Sequence, residues 1–158
     1  MKLRPWQLKW LLNGFPPFLI NRIRVVSIGH DFMTATVKIR HSLLNRNFQG
    51  SVFGGSLFSA GDPVLALMYW QAIRHRNRHV RVWLKEASIR YRVPARSDCT
   101  IHYCLTETDL ENAFAGLDRD GRYDVWHESR MVLEDGVIAA VMKTRIHIQL
   151  ESHDQKSA

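Results

Sequence analysis

Cysteine is nearly absent from this chain, whose 158 residues include only Cys99 and Cys104. Five residues apart in a predicted strand, the two point to opposite faces, which argues against a local disulfide or a shared metal. Free thiols fit a reducing, cytoplasmic setting. No run of eighteen apolar residues occurs, so no membrane span is expected. No His-Glu-x-x-His or paired-cysteine spacing occurs, and His102, His127 and His147 fall on separate predicted strands. A metal site is therefore not expected. Ser56 and Ser59 lack the context of a nucleophile elbow. Helix-turn-helix, zinc-finger and aromatic-plus-basic RNA motifs are missing, which argues against nucleic acid as a partner. Internal repeats, low-complexity segments and linkers are missing too.

What remains is an ordinary globular mixture, 46% hydrophobic and 23% charged. The length suits one domain, which buries roughly two thirds of its unfolded surface. Formal charge is +7. Part of it is concentrated in Arg74, Arg76, Arg78 and Arg81, with His75 and His79 between them. Such a field favours an acidic partner, for example a small polyanion; the alternative is a solvated loop after a helix.

The opening residues resemble a signal peptide only superficially, because Lys9, Asn13 and two prolines break the apolar run. Residues 1–20 read as an N-terminal helix over 5–12, stopped by Asn13-Gly14, and a proline-rich lead-in. Trp6, Trp10 and Leu11 of that helix are expected to dock on the domain or on a partner subunit, with membrane attachment a lesser option. Residues 21–150 read as one domain and 151–158 as a flexible polar tail. Strands are expected over 23–29 and 32–40. In the second, Met33, Ala35, Val37 and Ile39 share one face, the pattern of a half-buried antiparallel strand. A loop over 41–52 precedes the one long helix, 54–75, which Pro63 should kink near Asp62 or divide into a first turn from Gly55 and a second segment capped by Asp62. A strand over 80–93 changes apolar phase between Leu84 and Ala87, which predicts a bulge; Lys85 and Glu86 there form a salt bridge or line a site. Further elements follow: a strand over 100–106, a short helix over 109–115, and strands over 123–134 and 137–150. The last two strands are joined by the hairpin signal Asp135-Gly136. A sheet around one buried helix is an α+β arrangement.

The segment from Asn45 to Trp70 carries the chemistry. Gly54-Gly55 opens the apolar helix, and free N–H groups at a helix start can hold a developing negative charge. Asp62 lies about two turns on, and a carboxylate in apolar surroundings is costly unless paired or active. It can serve as general base or nucleophile, or as a cap for the segment starting at Pro63. Gly54 and Gly55 can expose a backbone donor or simply permit tight packing. Asn47 can orient water or a substrate carbonyl, or just close a turn, as can Asn45. Arg90, Arg92 and Arg96 flank a Pro-Ala turn and can fork onto phosphates, or form a solvated strand face.

Two segments resemble the hotdog fold of acyl-CoA thioesterases. In GGSLFSAGD, an acid follows the helix-opening Gly-Gly by seven residues, as in phenylacetate-pathway-type enzymes. ASIRYRVPARSDCTI resembles the strand-turn signature of that fold, with Ser97-Asp98 in place of Gly-Asp. Pro16-Pro17, Asn45-Arg46-Asn47, Phe53-Gly54-Gly55 and Asp62-Pro63 resemble the hotdog family labelled tetrameric acyl-CoA thioesterase, over residues 10–150. The resemblance implies a thioester hydrolase with no cofactor beyond its coenzyme A thioester substrate. It implies a homodimer or homotetramer with sites between subunits. Asp62, Gly55 and Asn47 would be catalytic, and Gly54, Phe53, Arg90, Arg92 and Arg96 would contact substrate. A binding protein without turnover is the alternative, because Phe53 stands where the phenylacetate-pathway type has histidine.

Overall fold

The alternation in residues 33–39 produces what it predicts: Ala35, Val37 and Ile39 are buried and the residues between them face outward. The structure is a computed structural model, and it describes residues 1–151; residues 152–158, most of the expected tail, lie outside the described residues. Glu151 is held, its N–H donating to the His79 carbonyl at 3.0 Å.

Among the described residues, eleven elements follow one another: α1 (Pro5–Asn13), α2 (Pro16–Ile20), β1 (Ile23–Ile28), β2 (Thr34–Ile39), α3 (Gly54–Gly61), α4 (Pro63–His75), β3 (Val80–Tyr91), β4 (Cys99–Cys104), α5 (Glu107–Asp120), β5 (Arg122–Leu133) and β6 (Ile138–Leu150). The strands form one sheet in the order β1-β2-β4-β5-β6-β3, with every pairing antiparallel. The sheet curls around α3 and α4, whose Leu57, Val64, Leu65, Met68, Tyr69 and Ile73 are buried against it. This is the hotdog arrangement. β1 and β3 are its edges. The expected bulge lies at Lys85, where the β3–β6 register shifts between Leu84 and Glu86.

The helix breaks at Asp62 as expected, but two other expectations need correction, beginning with its being the only long helix. Pro63 has no N–H to give the ladder, so α3 ends and α4 begins on either side of Asp62. The short helix expected over 109–115 is the 14-residue α5. A capping box between Thr106 and Asp109 starts it and left-handed Gly121 stops it. The proline-rich lead-in holds a helix, α2, which starts on Pro16-Pro17.

Leu3, Leu8, Leu12 and Phe18 join the same core as the sheet residues. Trp6, Trp10 and Leu11 do not: each is more than half exposed. Among the described residues, no helix is long and apolar enough to cross a membrane.

Candidate active site

The site is built from the start and the end of α3. At the start, the N–H groups of Ser56 and Leu57 both donate to the Phe53 carbonyl, at 2.9 and 3.3 Å. Gly54 and Gly55 precede them, and the first N–H groups of a helix have no intrahelical acceptor. The Tyr91 hydroxyl donates to the Gly54 carbonyl at 2.8 Å. A Cβ on Gly54 would lie 2.9 Å from that hydroxyl oxygen, so a side chain here would push the Tyr91 hydroxyl away from the Gly54 carbonyl. Gly54, Tyr91, Asn47 and Arg92 line one cleft of about 360 Å³. The Phe53 ring is half exposed and lies over Gly55, its Cε1 2.3 Å from where a Cβ would be.

Both loop asparagines are bound within the protein. Asn45 is buried and makes hydrogen bonds to the carbonyls of Asn21 and Arg40, both at 2.8 Å, while its oxygen accepts from Ser42. Asn47 closes the turn before Ser51. Its oxygen accepts from the N–H groups of Gln49 and Ser51, and its amide donates to the Ser51 hydroxyl at 2.9 Å.

At the far end of α3, Asp62 sits in the helical break. Its backbone is helical and its side chain makes no cap hydrogen bond, so the capping role is not what the structure shows. Partial burial raises its pKa above the ordinary carboxylate value. Beneath it, the buried Tyr103 hydroxyl donates to the Ala60 carbonyl at 3.2 Å and fastens the last turn of α3 to β4. Seven residues of helix separate Gly55 from Asp62, about 10 Å along the axis. One protomer therefore does not bring the two groups to one carbonyl carbon.

The arginines divide. Arg92 lines the cleft beside Gly54. Arg90 is paired in register with Val141 and stands on the outer face of the sheet, away from α4. Arg96 is exposed beyond the Pro94-Ala95 turn. The basic run after α4 is paired: Arg74 with Glu151 at 3.0 Å, Arg76 with Glu107 at 2.9 Å, and Arg78 with Asp118. Lys85 and Glu86 are not paired with each other. Lys85 reaches Asp124 at 3.0 Å and Glu86 reaches Arg145 at 3.7 Å, because the bulge directs them to different neighbours. Among the described residues, no three His, Cys, Asp or Glu side chains are grouped as a metal requires.

Tyr91 and Tyr103 are the site residues that sequence reasoning missed. Each acts on a backbone carbonyl of α3 from more than 35 positions away, and no local signal marks such a pairing. The one hint was the glycine at position 54.

Solved structures share this fold. PA5026 from Pseudomonas aeruginosa, described as a probable thioesterase of unknown function, has a TM-score of 0.82 at 18% identity, covering 96% of this chain and 99% of its own. The thioesterase HI1161 from Haemophilus influenzae has a TM-score of 0.71 at 13% identity, covering 98% and 97%. PaaI from the phenylacetic acid degradation operon of E. coli has 0.65 at 15% identity, covering 93% and 94%. At these identities the likeness establishes the hotdog fold. No curated protein matches the sequence. The model of one family matches residues 5–149, and the chain therefore belongs to the family described as domain of unknown function DUF4442.

Proposed function

We propose that this protein hydrolyses acyl thioesters, with acyl-CoA as the substrate class. The observation that carries the reading is the pairing of an amide with no acceptor among the described residues, that of Gly55 in the first turn of α3, with a partly desolvated carboxylate at the other end. A raised pKa moves Asp62 toward the range where a general base works. Because the two ends lie too far apart within one chain, the working site joins Gly55 of one protomer to Asp62 of a second. β3 is a twelve-residue edge strand with a free side, which gives a second copy a surface to extend the sheet.

In this reading, Asp62 takes a proton from water as the water oxygen attacks the thioester carbon. The carbonyl oxygen gains negative charge and is held by the Gly55 N–H. The carbon–sulfur bond then breaks, and the thiolate leaves as a thiol with the proton Asp62 held. As nucleophile, the same carboxylate would form a mixed anhydride that water opens. Turnover in ¹⁸O-water labels Asp62 only in the second case. No cofactor is needed for either route. Arg92, beside the cleft, is the arginine best placed for the coenzyme A phosphates. The free thiols support a reducing, cytoplasmic compartment.

Phe53 favours a second reading. Its ring lies over Gly55 and offers no donor, which suits a pocket that binds acyl-CoA without turning it over. The test is thiol release from short, medium, long and aromatic acyl-CoAs, with Asp62→Asn alongside. We expect turnover that falls by roughly 10²–10⁴ in the variant while the fold persists. Tight binding with no turnover on any substrate would establish the binding-protein reading instead.

A further inference from the structure

α1 and α2 present an apolar face that the core does not use. Trp6 and Trp10, four residues apart, lie on one side of α1 and are 55% and 70% exposed, while Leu8 and Leu12 on the other side are buried. α2 buries Phe18 and leaves Leu19 and Ile20 at 55% and 68%. Single exposed apolar side chains are ordinary, but a contiguous group marks an interaction surface. These are contiguous: a groove of about 450 Å³ runs between the two helices and β1, lined by Trp6, Trp10 and Leu19.

The same groove is lined by Lys9, Arg22, Arg24 and Arg40, and by no acidic residue. The bias extends through the sequence. The first thirty residues contain Lys2, Arg4, Lys9, Arg22 and Arg24, and the first acid is Asp31. The basic run after α4 is neutralised by Glu107, Asp118 and Glu151. Among the described residues Lys9, Arg22 and Arg24 form no ion pair, while Arg40 shares the field of Asp98, which is paired with Lys38 at 3.0 Å.

We infer that this face docks on an anionic phospholipid bilayer. Tryptophan favours the membrane–water interface, where its ring is apolar and its N–H is wet. Short amphipathic helices with aromatic and aliphatic tips and flanking lysine or arginine lie in that plane. The apolar tips alone bind weakly, and the cations add attraction to lipid phosphates and anionic headgroups. Charge also argues against a second copy as the occupant. In a two-fold contact through this face, each basic groove would meet the same groove on its partner, and like charges in contact oppose association. The inference stands on the α1–α2 face and does not depend on the thioesterase reading.

The experiment is flotation of the purified protein with vesicles of phosphatidylcholine alone and of phosphatidylcholine with phosphatidylserine, read together with tryptophan fluorescence. We expect binding to the mixed vesicles with a blue shift, weakened by salt, and little binding to phosphatidylcholine alone. Lys9→Glu and Arg24→Glu should each weaken binding by about fivefold or more. Trp6→Gln with Trp10→Gln should abolish the blue shift; both side chains are exposed, so circular dichroism should be unchanged. Failure to float with anionic vesicles at low salt would overturn the proposal. So would unaltered binding by the double tryptophan variant, or a smaller particle for that variant in light scattering without lipid, which would make the face a contact between copies.

Discussion

Asp124 shows how one residue ties three strands together. It lies on the outer sheet face opposite His147 in the β5–β6 register. It receives Lys85 at 3.0 Å and Arg145 at 2.7 Å, and its other oxygen meets His147 Nδ1. Trp83 stacks on the His147 ring with centroids 4.4 Å apart. Partial desolvation works against ionisation of Asp124, but the hydrogen bonds and charges of Lys85 and His147 outweigh it and hold its pKa at about 2. A carboxylate whose pKa is depressed on folding adds stability above its unfolded value, about 3.9. That stability is lost as pH falls from there through about 2. Asp124→Asn should therefore lower stability by about 1 kcal/mol at neutral pH, once solvent screening is allowed for. The difference from the parent protein should shrink steadily below pH 4 and vanish only below about pH 2, as denaturant titrations across that range would record. Asp62 has the opposite sign. Its pKa is raised, so its charge opposes folding above that pKa, and Asp62→Asn should leave the protein slightly more stable at neutral pH. A carboxylate retained against its own folding preference is in keeping with a chemical role.

At the scale of elements, α3 is pressed onto β6 where Gly61 meets Met142. A Cβ on Gly61 would lie 2.1 Å from the Met142 sulfur and 3.1 Å from its terminal methyl, both in a fully buried side chain. Gly61→Ala should cost about 1–3 kcal/mol through overpacking, read as a lower melting temperature. Adding Met142→Val should recover part of the loss, the coupling expected of two side chains competing for one space. The glycine thus sets how closely the break holding Asp62 approaches the sheet. Much of this level was legible in the sequence. Strand alternation, the Asp135-Gly136 hairpin, the bulge at Lys85 and the proline break all act through neighbours in the chain. The full length of α5 was missed although its signals are local: Thr106 and Asp109 form a capping box, Gly121 stops the helix, and Leu110, Ala113 and Leu117 form its buried stripe. What sequence could not supply was pairing at a distance. The ion pairs of Arg74, Arg76 and Arg78 reach acids 77, 31 and 40 positions away. The bonds from Tyr91 and Tyr103 to α3, and the bond from Asn45 to the Asn21 carbonyl 24 positions away, become visible only once the strands are in order, whereas the turn closed by Asn47 is local.

At the scale of the whole molecule, the proposed thioesterase reading gives the single chain two half-sites rather than one site. Gly55, next to the cleft that Gly54 lines, lies at one end of α3 and Asp62 at the other, about 10 Å away. A thioester carbonyl is reached by both only if a second protomer brings its own α3 alongside, and the unpaired edge of β3 provides a means to do so. This arrangement makes a prediction that no single-chain site makes. Asp62→Asn removes the carboxylate from one half-site. Gly55→Pro removes the N–H from the other; its ring requires the half-exposed Phe53 side chain to swing aside, so Gly55→Ala serves as the control that adds a Cβ but keeps the N–H, and circular dichroism checks that the fold survives. Asp62→Asn and Gly55→Pro should each be inactive alone. Unfolded together and refolded as a mixture, they should form hybrid dimers in which one site carries both lesions and the other carries none. Activity should return to about a quarter of the parent value, the fraction of intact sites in a random two-fold assembly. If each chain held its own complete site, every site in the mixture would keep one lesion and activity would stay at the level of the separate variants. The recovered fraction therefore reports directly whether the two ends of α3 work together across a subunit boundary.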